Sequence, residues 1–319
     1  MTTRVALAGY GNLGRAFAAL VEAQEDMELV AVFSRRPEIT APAPVIPLDQ
    51  AEQHAADVDV LALCLGSATD IPALAPGLAR TFTTVDTYDN HHLIPDHRAA
   101  MDEAARAGGN VAVISTGWDP GLFSLNRALA GALFPAPSQQ TFWGEGVSQG
   151  HSDAVRRITG VRRAVQYTVP AEQALNAARA GDADQLSATD VHTRVVYVVA
   201  DEADHERIAS EIVSMPDYFE PYETSVTFID EETFEAEHTG MPHGGHVITT
   251  GTLAQARATV EFALTLESNP EFTAAVQVAY VRAAARLREA GQTGAFTVFD
   301  IAPALLTRES VDDLVSNLL

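Results

Sequence analysis

The hexapeptide Gly9-Tyr10-Gly11-Asn12-Leu13-Gly14 fits G-x-G-x-x-G, and it lies between a short apolar run and an amphipathic one. At such a strand-to-helix turn the first glycine permits the tight bend, and the second lets the backbone approach a pyrophosphate. The third lets the helix pack on the strand with its N-terminus facing the phosphates. A dinucleotide is the expected ligand. Its type is read about 20 residues further on, where an NAD site carries Asp or Glu for the ribose 2′-hydroxyl. Here Ser34, Arg35 and Arg36 occupy that stretch, with no acid before Glu38. Two guanidinium groups suit a 2′-phosphate in charge and in fork geometry, so NADP is expected. Gly66, Ser67 and Thr69 follow another apolar run. They fit either phosphate or ribose contacts or the capping of the next helix.

Two further acid-bearing segments, "DTYDNHH" and "STGWDPG", carry Asp89 and Asp119. Placed beside a nicotinamide, these carboxylates could hold an ammonium group and take its proton, because hydride leaves a carbon next to nitrogen only when the amine is neutral. Deamination would then accelerate toward alkaline pH. The same two residues also suit plain turns, Asp119 standing before a proline. Trp118 and Trp143 adjoin glycine-rich turns and fit water-excluding walls or ordinary core. Arg194, inside the apolar run "TRVVYVVAD", could hold a carboxylate in a bidentate pair. The arginines of "RRITGVRR" read as a surface helix end balanced by nearby acids. His238, His243 and His246 fall within nine residues. They lack the helical spacing and the glutamate of H-E-x-x-H, so no metal site is expected.

Composition narrows the chemistry. All 20 basic residues are arginine, and lysine is absent. That removes Schiff-base chemistry and the P-loop, both of which need a lysine amine. A net charge of −23 disfavours nucleic acid and anionic membranes as partners. No apolar run approaches the ~18 residues that span a bilayer. The one cysteine, Cys64, sits in an apolar run and fits a buried residue of a cytoplasmic protein.

These residues need elements to position them. The first ~118 residues alternate strand and helix patterns, as an open parallel sheet requires. "RVALAGY", "MELVAVFS", "VDVLALCLG", "TFTTVDTYD" and "GNVAVISTGWDP" read as strands, with "RRPEITAPAPVIP" as a Pro-rich connection. Beyond "WDPG", the strand patterns "RVVYVVAD", "TSVTFID" and "HVITTGT" succeed one another without long helices, which suggests a more antiparallel sheet. Asn269 reads as the N-cap of a long helix that ends at Gly291. The expected fold is α/β: an N-terminal Rossmann-type, doubly wound parallel sheet with a second α+β domain for substrate binding and dimerisation. The expected limits are 1–118 and 119–269, with residues from about 270 to 319 packing back on the first domain. A homodimer is expected from the apolar second domain.

"GYGNLGR", "VFSRRP", "LGSATDIP", "TVDTYDNH", "STGWDPG", "SQGHSDAVRR", "AVQYT" and "HTGMPHGGHVITTG" occur in this order. Together they make the chain resemble the meso-diaminopimelate dehydrogenase family over essentially its whole length. The resemblance implies NADP-dependent, reversible oxidative deamination at the D-centre of meso-2,6-diaminopimelate, giving L-2-amino-6-oxopimelate and ammonia in lysine biosynthesis. It implies that Gly9 to Gly14, Ser34, Arg35 and Arg36 hold NADP, joined by Ser67 and Thr69. Asp89, Trp118, Asp119, Trp143 and Gln149 would surround the reacting D-centre. Thr168, Arg194, His243 and Asn269 would fix the L-configured end. One departure stands out: Leu93 replaces an aspartate of the family pattern. A reductase for another amino acid-pathway substrate and a non-catalytic NADP-binding regulator are the competing readings. The missing lysine disfavours the first, and a regulator need not keep Asp89, Asp119, Arg194 and His243 together.

Overall fold

A computed structural model of the chain describes residues 2–36, 38–183, 186–187, 189–216 and 218–319. It contains two compact units, one running to Leu125 and resuming at Pro270–Leu319, the other Asn126–Asn269.

The first unit runs through β1 (Thr3–Ala8), α1 (Asn12–Glu22), β2 (Met27–Ser34), β3 (Val45–Pro47), β4 (Val60–Leu63), α2 (Asp70–Thr81), β5 (Thr84–Asp86), α3 (Ile94–Gly108), β6 (Val111–Val113) and the start of α4 (Leu122–Ala132). A last strand, Gly294–Phe296, completes a seven-stranded sheet beside β6. From that strand the order is β6, β5, β4, β1, β2, β3, and every pairing is parallel. The order reverses at β1 and β4, so a crevice opens past their carboxyl ends, where the glycine turn and the Gly66 loop lie. Successive residues feed opposite faces, as a pleated strand requires. Val5, Leu7, Val60 and Ala62 enter one core with Phe17 of α1 and Val281 of the helix Asn269–Glu289. Ala6, Ala8, Leu61 and Leu63 enter the other with Ile71 of α2 and Met101 of α3. The continuous apolar runs follow from burial on both faces. Within the Pro-rich connection, residues 45–47 pair with β2 as an edge strand. An edge tolerates Pro47 because its missing N–H faces away from the sheet.

The second unit holds β7 (Ser138–Trp143), β8 (Gly146–Val147), α5 (Gln149–Arg156), β9 (Arg163–Pro170), α6 (Glu172–Ala180), β10 (His192–Val199), α7 (His205–Val213), β11 (Thr224–Phe228), α8 (Glu231–Glu237), β12 (His243–Leu253) and β13 (Ala256–Leu266). They form a four-stranded sheet, β11-β10-β9-β8, and a three-stranded sheet, β13-β12-β7. All pairings are antiparallel except β10 with β11. The sheets are mostly antiparallel, as the strand patterns without long helices suggested, and this pair is the exception. Helix α7 crosses over between β10 and β11 and so makes them parallel. On β9 and β10 the register sets Thr168 opposite Arg194 and Gln166 opposite Val196. Alternation therefore puts Gln166, Thr168, His192 and Arg194 on one face, the face packed by Val155 of α5 and Ile208 of α7. Tyr167 and Tyr197 take the other face with Phe234 of α8.

Candidate active site

The glycine turn of the first unit has two glycines that the backbone demands and one that it does not. Gly9 has φ +94°, and a Cβ there would lie 2.5 Å from the Cys64 carbonyl oxygen. A Cβ on Gly14 would collide with the Gly9 carbonyl. A Cβ on Gly11 would meet nothing within 4 Å. Gly11 stands at the N-cap of α1, whose first turn has no side-chain cap. It opens onto a cavity of about 380 Å³ that Tyr10, Ser34, Arg35, Arg36 and Gly66 also line. A helix start with no Cβ in the way at Gly11 and two arginines suit a phosphorylated dinucleotide, so the residues present fit NADP. Arg36 Nη2 donates to the Tyr10 carbonyl at 2.9 Å, and the Arg36 N–H donates to Ser34 Oγ at 3.0 Å. Arg35 donates through both terminal nitrogens to Asp70, at 3.1 and 2.6 Å. Asn12 instead accepts from Arg15 at 2.6 Å, and Leu13 packs on the core. Thr69 is the N-cap of α2 without a side-chain cap bond, and Ser67 lies in the turn before it.

Past β5 and β6 lie the acid-bearing loops. Asp89 is exposed in the loop after β5. Trp118 is buried and meets Phe123 edge-to-face at 5.2 Å. Asp119 is at the tip of a turn closed by bridges from Gly117 and Trp118 to Gly121, whose φ is +135°. Leu93 is 46% exposed just before α3. Asp86 and His97, which the sequence reading did not single out, form a fully buried pair beneath these loops.

In the second unit, most of the nominated residues converge. Trp143, 42% exposed, donates its backbone N–H to His192 Nε2 at 3.0 Å, and its indole stacks on that imidazole at 6.0 Å. His192 must therefore be a neutral acceptor. Burial, with the charge of Arg194 adding to it, pushes its pKa down to about 4. Arg194 is buried, donates from Nη1 to Thr168 Oγ1 at 3.3 Å, and lies 4.0 Å above the Tyr222 ring. Among the described residues its Nε has no hydrogen-bond partner and no carboxylate pairs with it. Desolvation lowers the guanidinium pKa, and only Tyr222 opposes that. Gln166, on the same face, donates to Thr168 at 3.4 Å and leaves Oε1 without a partner. Gly146 pairs with Thr168, and a Cβ on it would lie 2.5 Å from the His243 ring. The imidazole thus rests on the glycine backbone beside Thr168. His243 Nδ1 lies 2.8 Å from the Gly244 N–H and 3.1 Å from the Gly244 carbonyl oxygen, so this nitrogen is held against its neighbour's backbone. Burial pushes this histidine down as well. Asn269 joins through its N–H to the Met241 carbonyl, two residues before His243. Gln149 opens α5 and is exposed.

The other histidines and arginines that the sequence brought forward go elsewhere. His238 stacks on Tyr197 at 4.1 Å, and His246 pairs with Glu261 at 2.8 Å. Arg156, Arg162 and Arg163 pair with Asp153, Asp201 and Glu235. Gln166, His192 and Tyr222 escaped the sequence reading. Period-two alternation around Arg194 would have found His192, and Gln166 with it through Thr168. Tyr222 has no local signal.

A parallel, doubly wound sheet with this glycine turn and its arginine-lined cavity suits the class of dinucleotide-dependent oxidoreductases. Residues 117–268 match the family described as the diaminopimelic acid dehydrogenase C-terminal domain. The chain is 58% identical over 313 residues to the meso-diaminopimelate D-dehydrogenase of Corynebacterium glutamicum, covering 98% of both chains. The solved C. glutamicum DAP dehydrogenase in complex with DAP matches with a TM-score of 0.89 at 57% identity, over 100% of each chain. An engineered D-amino acid dehydrogenase bound to NADP+ matches with a TM-score of 0.84 at 55% identity, again over 100% of each. The chain belongs to the meso-diaminopimelate D-dehydrogenase family.

Proposed function

We infer that this chain catalyses the NADP-dependent, reversible oxidative deamination of the D-centre of meso-2,6-diaminopimelate to L-2-amino-6-oxopimelate and ammonia, in lysine biosynthesis. Arg194 carries the reading. A buried guanidinium without an acid is costly, and a substrate carboxylate offsets that cost. NADP+, when bound, supplies the hydride acceptor for the substrate α-carbon. The backbone from Gly9 to Gly14 holds its pyrophosphate, Arg35 and Arg36 its 2′-phosphate, and Ser67 and Thr69 stand beside them. Asp89 and Asp119 orient the substrate ammonium and receive its proton, directly or through water. Trp118, Trp143 and Gln149 wall the reacting end from bulk water. Thr168, Arg194, His243 and Asn269 grip the L-configured end. With that end fixed, only the hydrogen of the opposite centre can be presented, which is how two chemically alike ends are told apart. No lysine takes part, so the imine meets water without a covalent link to the protein.

The working form is a homodimer of the cytoplasm. Leu129 of α4, Leu133 just beyond its end and Val260 of β13 are exposed apolar residues around a small cavity of about 100 Å³. Among the described residues β13 pairs on one side only. An open eleven-residue edge beside exposed leucines suits burial against a second copy. The decisive experiment for the reaction follows NADPH and ammonia together, with meso-diaminopimelate and NADP+. Equimolar formation is expected, and NADPH without ammonia would contradict deamination.

A further inference from the structure

We propose that Asp86 and His97 are positioning residues for the reacting end of the site, acting through the backbone of the two loops that carry Asp89 and Asp119. The proposal rests on the reading of those two aspartates given above. Asp86 ends β5 and is completely buried. Its Oδ1 accepts the Tyr88 N–H at 3.0 Å and the Ser115 N–H at 2.9 Å. Its main-chain oxygen accepts both the N–H and the hydroxyl of Thr116, each at 2.9 Å. One residue thus ties the 86–90 loop to the loop leaving β6. The remaining carboxylate oxygen, Oδ2, lies 2.7 Å from Nε2 of His97 on α3. The His97 ring also packs on Tyr88 at 4.4 Å.

Ser115 shows what this clamp works against. It holds φ +56°, a left-handed conformation rare outside glycine, and its buried hydroxyl has no partner among the described residues. A strained residue persists only where its surroundings over-determine it, and the Ser115 N–H bond to Asp86 is part of that determination. Tyr88 immediately precedes Asp89, and Ser115 and Thr116 lead into the Trp118–Asp119 turn. The spacing of the two carboxylates is therefore set from below, by a pair that touches neither substrate nor cofactor. The cofactor cavity and the Arg194 cluster lie outside this network. Loosening it falls on the chemical step rather than on binding.

His97→Ala tests the clamp, because His97 is its outer member and the substitution leaves Asp86 in place. His97→Gln, whose amide can donate to Asp86, is the conservative control. In His97→Ala, kcat with meso-diaminopimelate should fall by about 10-fold to 100-fold. KM for NADP+ should stay within about twofold of the parent value. His97→Gln should restore most of the loss. Amide exchange at Tyr88 and Ser115, read without any substrate, should quicken by about tenfold or more in His97→Ala. An unchanged kcat, a loss confined to KM, or no recovery with Gln overturns the proposal. If the unaltered protein fails to turn over, the reading of the reaction falls. Amide exchange then decides the clamp alone, with unchanged exchange at Tyr88 and Ser115 overturning it.

Discussion

Acid should destabilise the second unit through His192, by an amount the structure sets. The ring is buried, and Nε2 accepts the Trp143 N–H, a bond an imidazolium cannot accept. Burial and Arg194 bring its pKa from 6.5 to about 4. The unfolded chain therefore takes up a proton below pH 6.5 that the folded chain refuses until about pH 4. The folded pKa is the depressed one, so the contribution to stability is intact above 6.5 and is lost as pH falls through that window. At about 1.4 kcal/mol per pKa unit, the whole window is worth about 3 kcal/mol. Between about pH 7 and about pH 4.5 the loss comes to about 2 kcal/mol. His192→Gln keeps an acceptor for the Trp143 N–H and does not titrate. Urea unfolding of both proteins at the two pH values isolates this group, since the carboxylates they share cancel in the difference. The parent should lose about 2 kcal/mol more than the variant. The Trp143 indole should also come off His192 in the same window, which its fluorescence reports. Equal acid losses in the two proteins would refute the reasoning.

Four further variants test the site. Gly11→Ala should leave the melting temperature unchanged, since its Cβ meets nothing, yet weaken NADP+ binding by about tenfold or more. Gly9→Ala, at φ +94° against the Cys64 carbonyl, should instead lower stability by about 1–3 kcal/mol; calorimetry with NADP+ titration separates the two. Arg194→Met should lower kcat/KM for meso-diaminopimelate by about 100-fold to 1000-fold. Its melting temperature should hold or rise, because a buried charge without an acid is removed, and a thermal melt beside the kinetics would detect the opposite. Leu93→Asp, at an exposed position, should fold normally and lower KM for the substrate by about twofold to fivefold, read from initial rates.

The first unit was largely written in the chain's own patterns. β2 coincides with the run "MELVAVFS", and β4 lies inside an apolar run whose residues feed two cores by turns. The glycine turn declares itself because steric demand at Gly9 and Gly14 leaves no other residue type. The Val45–Pro47 edge strand stayed hidden among prolines, since three residues carry no periodicity. In the second unit, the parallel pairing of β10 with β11 depends on a nine-residue helix whose pattern is too short to stand out. Among site residues, Arg194 is conspicuous as a charge within an apolar strand. Tyr222, which stacks on it, sits in "FEPYET" and reads as an ordinary loop aromatic. Asp70 carries no local signal, and only the fold brings it to Arg35, 35 positions away in the chain. Asp86 and His97 were invisible for the same reason: a strand-end acid and a helical histidine signal nothing until packing buries them together.

The proposed reaction is stereospecific, NADP-dependent hydride removal from one centre of a two-ended substrate. Initial rates of cofactor reduction with meso-, L,L- and D,D-diaminopimelate, each with NADP+ and with NAD+, test it in one set of assays. Turnover is expected with the meso isomer and NADP+. The L,L isomer should be inert because it has no D-centre, the D,D isomer poor because its far end misfits the Arg194 cluster, and NAD+ weak because Arg35 and Arg36 lose their phosphate. Comparable rates with the L,L isomer, or with NAD+ in place of NADP+, would contradict it.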